Sequence, residues 1–384
     1  MQLTRQETEK LVQRGVEALR LGGFAEARTH ISTATASGQA PPQAWLLLAV
    51  ACRGEGDLAA EEAAIDTLLT LEPQTVRGRI MKGQCRARAG DETGASRYLR
   101  SALQIAEGQQ LHSEVMAELA KAEADLAEID ARIEAKVEAR LTAKGLPRAE
   151  RSRRFQHALD IDARRKRVYL QQPTIFYCPE LPQIQFYDRR EFAWAPAIEA
   201  EADSIRDELA ALLREGTDQF RPYIQPKAGE ARMDRNTALI DNRNWSALFL
   251  CENGKVDEEI VGRCPRTWAA VQQAPLPRIA SWGPTVMFSL LRAGARIAAH
   301  TGMYNTRLTC HLPLILPPDC RFRVGNETRQ WELDQLLIFD DSIEHEAWND
   351  SADDRVVLIF DIWRPELSER ERTEFTALFG REPR

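Results

Sequence analysis

A chain of 384 residues is longer than one hydrophobic core usually serves, so two or more domains are expected. Its 43% hydrophobic and 28% charged residues fit an ordinary soluble globular protein. A net charge of −7 argues against nucleic acid as the main partner, because phosphate binding needs clustered positive charge. The opening MQLTRQETEKLVQRG has no apolar core of a secretory signal, and no window approaches a membrane span. A cytoplasmic protein with no membrane segment is the expectation. The seven cysteines are scattered and form no CxxC pair, which suits reduced, buried thiols; a sheet would allow Cys310 and Cys320 to sit near each other.

In chain order, the first elements are repeats. GGFAEA from Gly22, GDLAAE from Gly56 and GDETGA from Gly90 each begin 34 residues after the last, the period of tetratricopeptide helix pairs. Residues 1–110 are therefore read as an array of such pairs, with small residues after each turn to let the helices approach. The array would present a concave surface to a peptide or protein partner; the plainer reading is a stacked spacer. Val115, Leu119, Ala122, Leu126, Ile129 and Ile133 then form one apolar stripe, predicting a capping helix over 111–145. Gly145 and Pro147 end it. Residues 146–167 carry Arg151, Arg153, Arg154, Arg164, Arg165, Lys166 and Arg167, and are read as a basic linker or ion-pair surface rather than a nucleic-acid arm. His30, His112 and His157 have no chemical neighbours and are read as structural.

From Val168 the texture changes to short strand-like runs. After a helix near 197–214 come WSALFLCENG, PTVMFSLLRAG, TRLTCHLPLIL, RFRVG, RQWEL, QLLIFDD, HEAWND and RVVLIFDIW, with turns at Asn253-Gly254 and Gly325-Asn326. Such a series predicts a sandwich or barrel over 168–384. His300 and His345 each adjoin a strand, so a rolled sheet can bring them to one cavity. Two histidines and a carboxylate with open positions make a non-haem Fe(II) site. The usual first half is His-x-Asp, whereas this chain reads His300-Thr301-Gly302. Arg355 opens the strand after His345, where a guanidinium would grip a carboxylate by paired hydrogen bonds. A zinc hydrolase is the competing metal reading, but HExxH is absent.

HTGMYNTRLTCHL, GNETRQWE, LLIFDDSIEHEAWND and RVVLIFDIWRPEL resemble the aspartyl/asparaginyl β-hydroxylases, over about 168–372. The resemblance implies a double-stranded β-helix of jelly-roll or cupin type behind the helical repeats: a multidomain α + β protein. It implies a 2-oxoglutarate-dependent dioxygenase using Fe(II) and O2. His300 and His345 would bind the metal, and members with HTG also lack the acidic ligand. Arg355 and Ser289 would hold the distal carboxylate of 2-oxoglutarate, His311 the proximal end, and Trp245 would line the pocket. The animal members carry an arginine where Thr309 stands; Arg307, on the same strand face, would take over anion binding or face substrate. Asp340 and Asp341 are read as turn caps or supports for the metal histidines. The implied reaction is hydroxylation of the β-carbon of an aspartyl or asparaginyl residue or a similar acid. Two alternatives stand: a halogenase-like oxygenase, with halide in the vacant position, and a repeat scaffold whose β-domain only binds a partner.

Overall fold

The computed structural model describes residues 3–224, 240–280 and 282–380. The chain divides into two compact units, Met1–Arg165 and Lys166–Arg384.

The first unit is helical. Three pairs follow one another: α1 (Arg5–Arg20) with α2 (Phe24–Ala36), α3 (Pro42–Gly54) with α4 (Leu58–Leu71), and α5 (Val76–Arg88) with α6 (Glu92–Ala106). The recurring glycine has a physical cause. Gly22, Gly56 and Gly90 adopt φ of 76°, 77° and 80°, the left-handed conformation that ends a helix without Cβ strain. In the second and third repeats the next residue caps the following helix: Asp57 accepts from Ala60 N and Asp91 from Gly94 N. The same period runs through the packing. Gly15, Ala49 and Gly83 lie on the first helices, and the fully buried Ile31, Ile65 and Leu99 on the second. A Cβ added at Gly83 would come within 2.6 Å of Leu99 Cγ, so the small residue sets how closely the pair approaches.

Helix α7 (Ser113–Ala143) buries Leu119, Ala122, Leu126 and Ile129 against α5 and α6. This is the predicted stripe. The segment expected to be a basic linker contains a further helix, α8 (Arg153–Asp162). Two of its flanking arginines bind α7: Arg151 to Glu138 at 2.7 Å and Arg165 to Glu134 at 2.5 Å.

The second unit holds the strands. They are β1 (Phe186–Tyr187), β2 (Arg221–Pro222), β3 (Trp245–Glu252), β4 (Lys255–Val256), β5 (Val286–Leu291), β6 (Arg296–His300), β7 (Arg307–Ile315), β8 (Cys320–Val324), β9 (Glu327–Gln330), β10 (Leu337–Phe339), β11 (His345–Asn349) and β12 (Arg355–Trp363). One sheet runs β1-β10-β7-β12-β5-β3-β2, with β4 paired to β3; the other runs β6-β11-β8-β9. All pairings are antiparallel.

Period-two alternation decides which side chains meet. Phe288, Leu290, Leu308, Cys310, Leu312, Leu358 and Phe360 share one core with Ile205, Leu209 and Leu212 of the helix Ala202–Arg214. The opposite face of the large sheet contributes Trp245, Leu291 and Phe339 to a core with Ile297, Phe322, Val324 and Ala347 of the small sheet. The two sheets thus pack face to face, and the residues singled out for chemistry lie on these inner faces. All seven cysteines are free; Cys310 and Cys320 fall in different cores.

Candidate active site

Two histidines come together at the edge of the small sheet. His345 on β11 pairs directly with His300 on β6, and their ring centroids are 4.2 Å apart. In each ring Nδ1 donates to a backbone carbonyl two residues earlier: His300 to Ala298 at 2.7 Å, His345 to Ile343 at 3.0 Å. That bond fixes the tautomer with Nε2 as the unprotonated nitrogen, the form that binds metals. Burial, and then the neighbouring His300, hold His345 well below the usual imidazole range, so it is neutral. Among the described residues, no group of three or more His, Cys, Asp or Glu is arranged to hold a metal ion. The donor set is two imidazoles, with the remaining positions open.

Gly302 explains the missing carboxylate. A Cβ built on it would overlap the Asp341 carboxylate, which enters from the loop before β11. Asp341 Oδ1 is buried without a hydrogen-bond partner. Burial pushes this carboxyl up to about 7 against the pull of Arg307.

The large sheet supplies the rest. Arg355, Leu291 and Trp245 form one cross-strand row; Val357, Ser289 and Ala247 form the next. Trp245 Nε1 donates to Ser289 Oγ at 3.2 Å, and the Trp245 ring centroid lies 5.7 Å from that of His300. Arg355 is 1% exposed, lies over the Trp331 ring at 4.8 Å, and has no carboxylate partner among the described residues. Its Nε has no hydrogen-bond partner at all. Burial brings its pKa down to about 10. An unpaired buried guanidinium is costly, so its presence points to an anion that completes it. His311 lies opposite Ile359, packed on Phe339 with centroids 4.8 Å apart, and its buried Nδ1 also lacks a partner. Arg307 is different. It is paired with Asp361 at 3.0 Å and sits near the rings of Tyr304 and Trp282, at 4.9 and 5.3 Å. Thr309 lies between them in register with Asp361.

The structure thus gathers His300, His345, Ser289, Trp245, His311 and Arg355 on facing sheets, with Arg307 further along β7. Sequence reasoning did not find the network that holds the two histidine loops. Asp340, fully buried, accepts from Arg364 Nη1 and Gln171 Nε2, both at 2.7 Å, and from Ser342. Arg364 also donates to Asn305 O at 3.2 Å, and Asn305 Nδ2 donates to Gln171 Oε1 at 2.9 Å. The loop after His300 and the loop before His345 are therefore tied to one ion pair. The adjacent acids Asp340-Asp341 were the visible signal; nothing local in the sequence links them to Arg364. Strand β6, which carries His300, was also missed because RIAAH is short and only partly buried. Trp348 is half-buried on the outer side of β11, against Arg321.

Residues 199–365 match the model for the aspartyl/asparaginyl beta-hydroxylase family, and residues 12–74 match a tetratricopeptide repeat model. An ornithine lipid ester-linked acyl 2-hydroxylase of Rhizobium tropici is 38% identical over 182 residues, covering 47% of this chain and 60% of that protein. The human aspartyl/asparaginyl beta-hydroxylase is 33% identical over 175 residues, covering 45% of this chain and 21% of its own length. The chain thus spans less than two thirds of either relative. Over residues 199–365 its second unit is thus similar to the aspartyl/asparaginyl beta-hydroxylase family, and it follows a helical array similar to tetratricopeptide repeats.

Proposed function

We propose that the second unit is an Fe(II)- and 2-oxoglutarate-dependent dioxygenase that hydroxylates an unactivated C–H bond close to a carbonyl. The observation that carries this reading is the pairing of two tautomer-fixed histidines with a buried guanidinium that lacks an anion. His300 and His345 would hold the iron through Nε2. Arg355 would bind the far carboxylate of 2-oxoglutarate, with Ser289 oriented by Trp245 beside it and the unpartnered His311 Nδ1 near the other end. Bound iron would activate O2 using the electrons of 2-oxoglutarate, and the chain's task is to orient substrate and exclude water.

The Asp341 carboxyl, from another loop, occupies the side-chain space that position 302 leaves empty. The complete set of buried polar groups weighs against an inactive scaffold, because an unpaired Arg355 would only destabilise a protein that never bound its anion. The names of the two relatives suggest two substrate classes, an aspartyl or asparaginyl side chain and an ester-linked acyl chain. The repeats remain available to a peptide or protein partner.

The test is spectroscopic. Anaerobic protein with Fe(II) and 2-oxoglutarate should develop the weak visible charge-transfer band of the chelate. The band should vanish in His345→Ala. No band in the native protein, with Fe(II) failing to bind, would move the weight to the scaffold.

A further inference from the structure

Trp331 directly follows β9, the edge strand of the small sheet, yet its ring meets residues of the large one. The Arg355 guanidinium of β12 lies over it at 4.8 Å. The His311 ring of β7 stacks on it with centroids 6.1 Å apart, and Phe322 packs beside it at 5.2 Å. The side chain is 4% exposed. With three groups against it, the indole has little freedom to turn in search of a partner.

An indole Nε1–H is a donor and nothing else, and a buried one usually finds an acceptor. Trp245 is the ordinary case, donating to Ser289 Oγ at 3.2 Å. Among the described residues, Trp331 Nε1 is buried with no acceptor. Arg355 Nε and His311 Nδ1, on the two polar side chains that touch its ring, are orphaned as well. Glu327, on the strand that leads to Trp331, is held by Arg329 at 2.6 Å. The orphaned nitrogens of Arg307 and Trp282 make a separate pair, and Trp282 packs in a different core cluster from Trp331. Each orphan costs free energy, so three around one ring call for an acceptor that they share. A ligand carboxylate, with two oxygens, can take several donors at once.

We infer that Trp331 binds the co-substrate: its Nε1–H donates to the carboxylate of 2-oxoglutarate that Arg355 grips, so the site selects an oxo-acid with a second carboxylate. This rests on the hydroxylase reading above and adds a residue and a selectivity to it. Arg355 supplies the charge. The indole supplies a neutral, rigid donor, and its face beneath the guanidinium fixes where that charge sits. Ser289 Oγ already accepts from Trp245, which leaves its own O–H to donate to the same carboxylate.

2-Oxoglutarate and 2-oxovalerate share a chain length and a 2-oxo acid head, but only the first carries the second carboxylate. Anaerobic calorimetry on the full chain loaded with Fe(II) measures both affinities, beside Trp331→Phe, which keeps an aromatic face under Arg355 and loses the N–H. The native protein should prefer 2-oxoglutarate. In Trp331→Phe that preference should fall about 10-fold or more, as expected for a lost hydrogen bond to a charged group. Its affinities for Fe(II) and 2-oxovalerate should not change. Trp331→His restores a ring N–H and should recover part of the preference. A second readout needs only the native fold. With Zn(II) in place of iron, the indole N–H resonance of Trp331, identified by its loss in either variant, should shift on adding 2-oxoglutarate and stay in place with 2-oxovalerate. An unchanged preference in Trp331→Phe, an equal loss of both ligands, or an unmoved indole resonance would overturn the inference and leave the hydroxylase reading intact. Native protein that holds Fe(II) but binds neither oxo-acid would overturn the hydroxylase reading, and this inference with it.

Discussion

At the scale of single residues, the site is recognisable by what is left unsatisfied. Arg355 is buried with no acid beside it, a state that costs free energy until an anion arrives. The variant Arg355→Met should therefore keep or raise the melting temperature of the free protein. It should also abolish the stabilisation by 2-oxoglutarate, which in the native protein amounts to about 2.7 kcal/mol at a hundred times its Kd. Thermal melts with and without the ligand measure both. Gly302 makes the converse case. Because Asp341 occupies its side-chain space, Gly302→Asp should weaken Fe(II) binding rather than complete the familiar triad. The double variant Gly302→Asp/Asp341→Gly should recover it. Equal Fe(II) affinity of the single variant and the native protein would show that the two carboxylates do not compete for one place. The histidines and Arg355 were legible because their types and spacing are chemically restrictive. The Asp341–Gly302 relation was not, since it depends on two loops meeting.

Among elements, the repeats were legible at two depths. The left-handed glycine and its capping aspartate are local, so they recur in plain view. The small residues at 15, 49 and 83 opposite Ile31, Ile65 and Leu99 carry the same period, but their meaning requires the helix pairs to be seen packed. In the second unit, alternation predicted most strands and which face each residue takes. It did not predict strand order, because register is fixed by cross-strand partners distant in sequence. Arg364 depends wholly on such distant partners. It joins the end of β12 to the loops that precede His345 and follow His300. Arg364→Ala leaves Asp340 buried without its cation and should cost about 3–5 kcal/mol in stability. A double variant, Arg364→Gln with Asp340→Asn, replaces charges by hydrogen-bonding groups and should recover part of that loss in denaturant unfolding. If the single variant lost less than about 1 kcal/mol, the network would not be holding the loops.

For the whole molecule, the units divide between Arg165 and Lys166, and the composition of the sequence changes near residue 168. Each buried apolar cluster belongs wholly to one unit: those of the helical array span Ala18 to Ile129, and those of the sheet unit Tyr187 to Leu367 with Phe186. A unit with its own cores can fold without its neighbour. The candidate site draws every one of its residues from the second unit, so the array is not needed to assemble it. A fragment of residues 166–384 should therefore fold cooperatively and bind Fe(II) and 2-oxoglutarate with the affinity of the full chain, as read by the same charge-transfer band. If turnover of 2-oxoglutarate is also retained, the array serves some partner other than the reaction's substrate. If turnover falls while the band persists, the array contributes to substrate delivery. Loss of the band itself in a folded fragment would contradict the assignment of the metal and co-substrate site to the second unit alone.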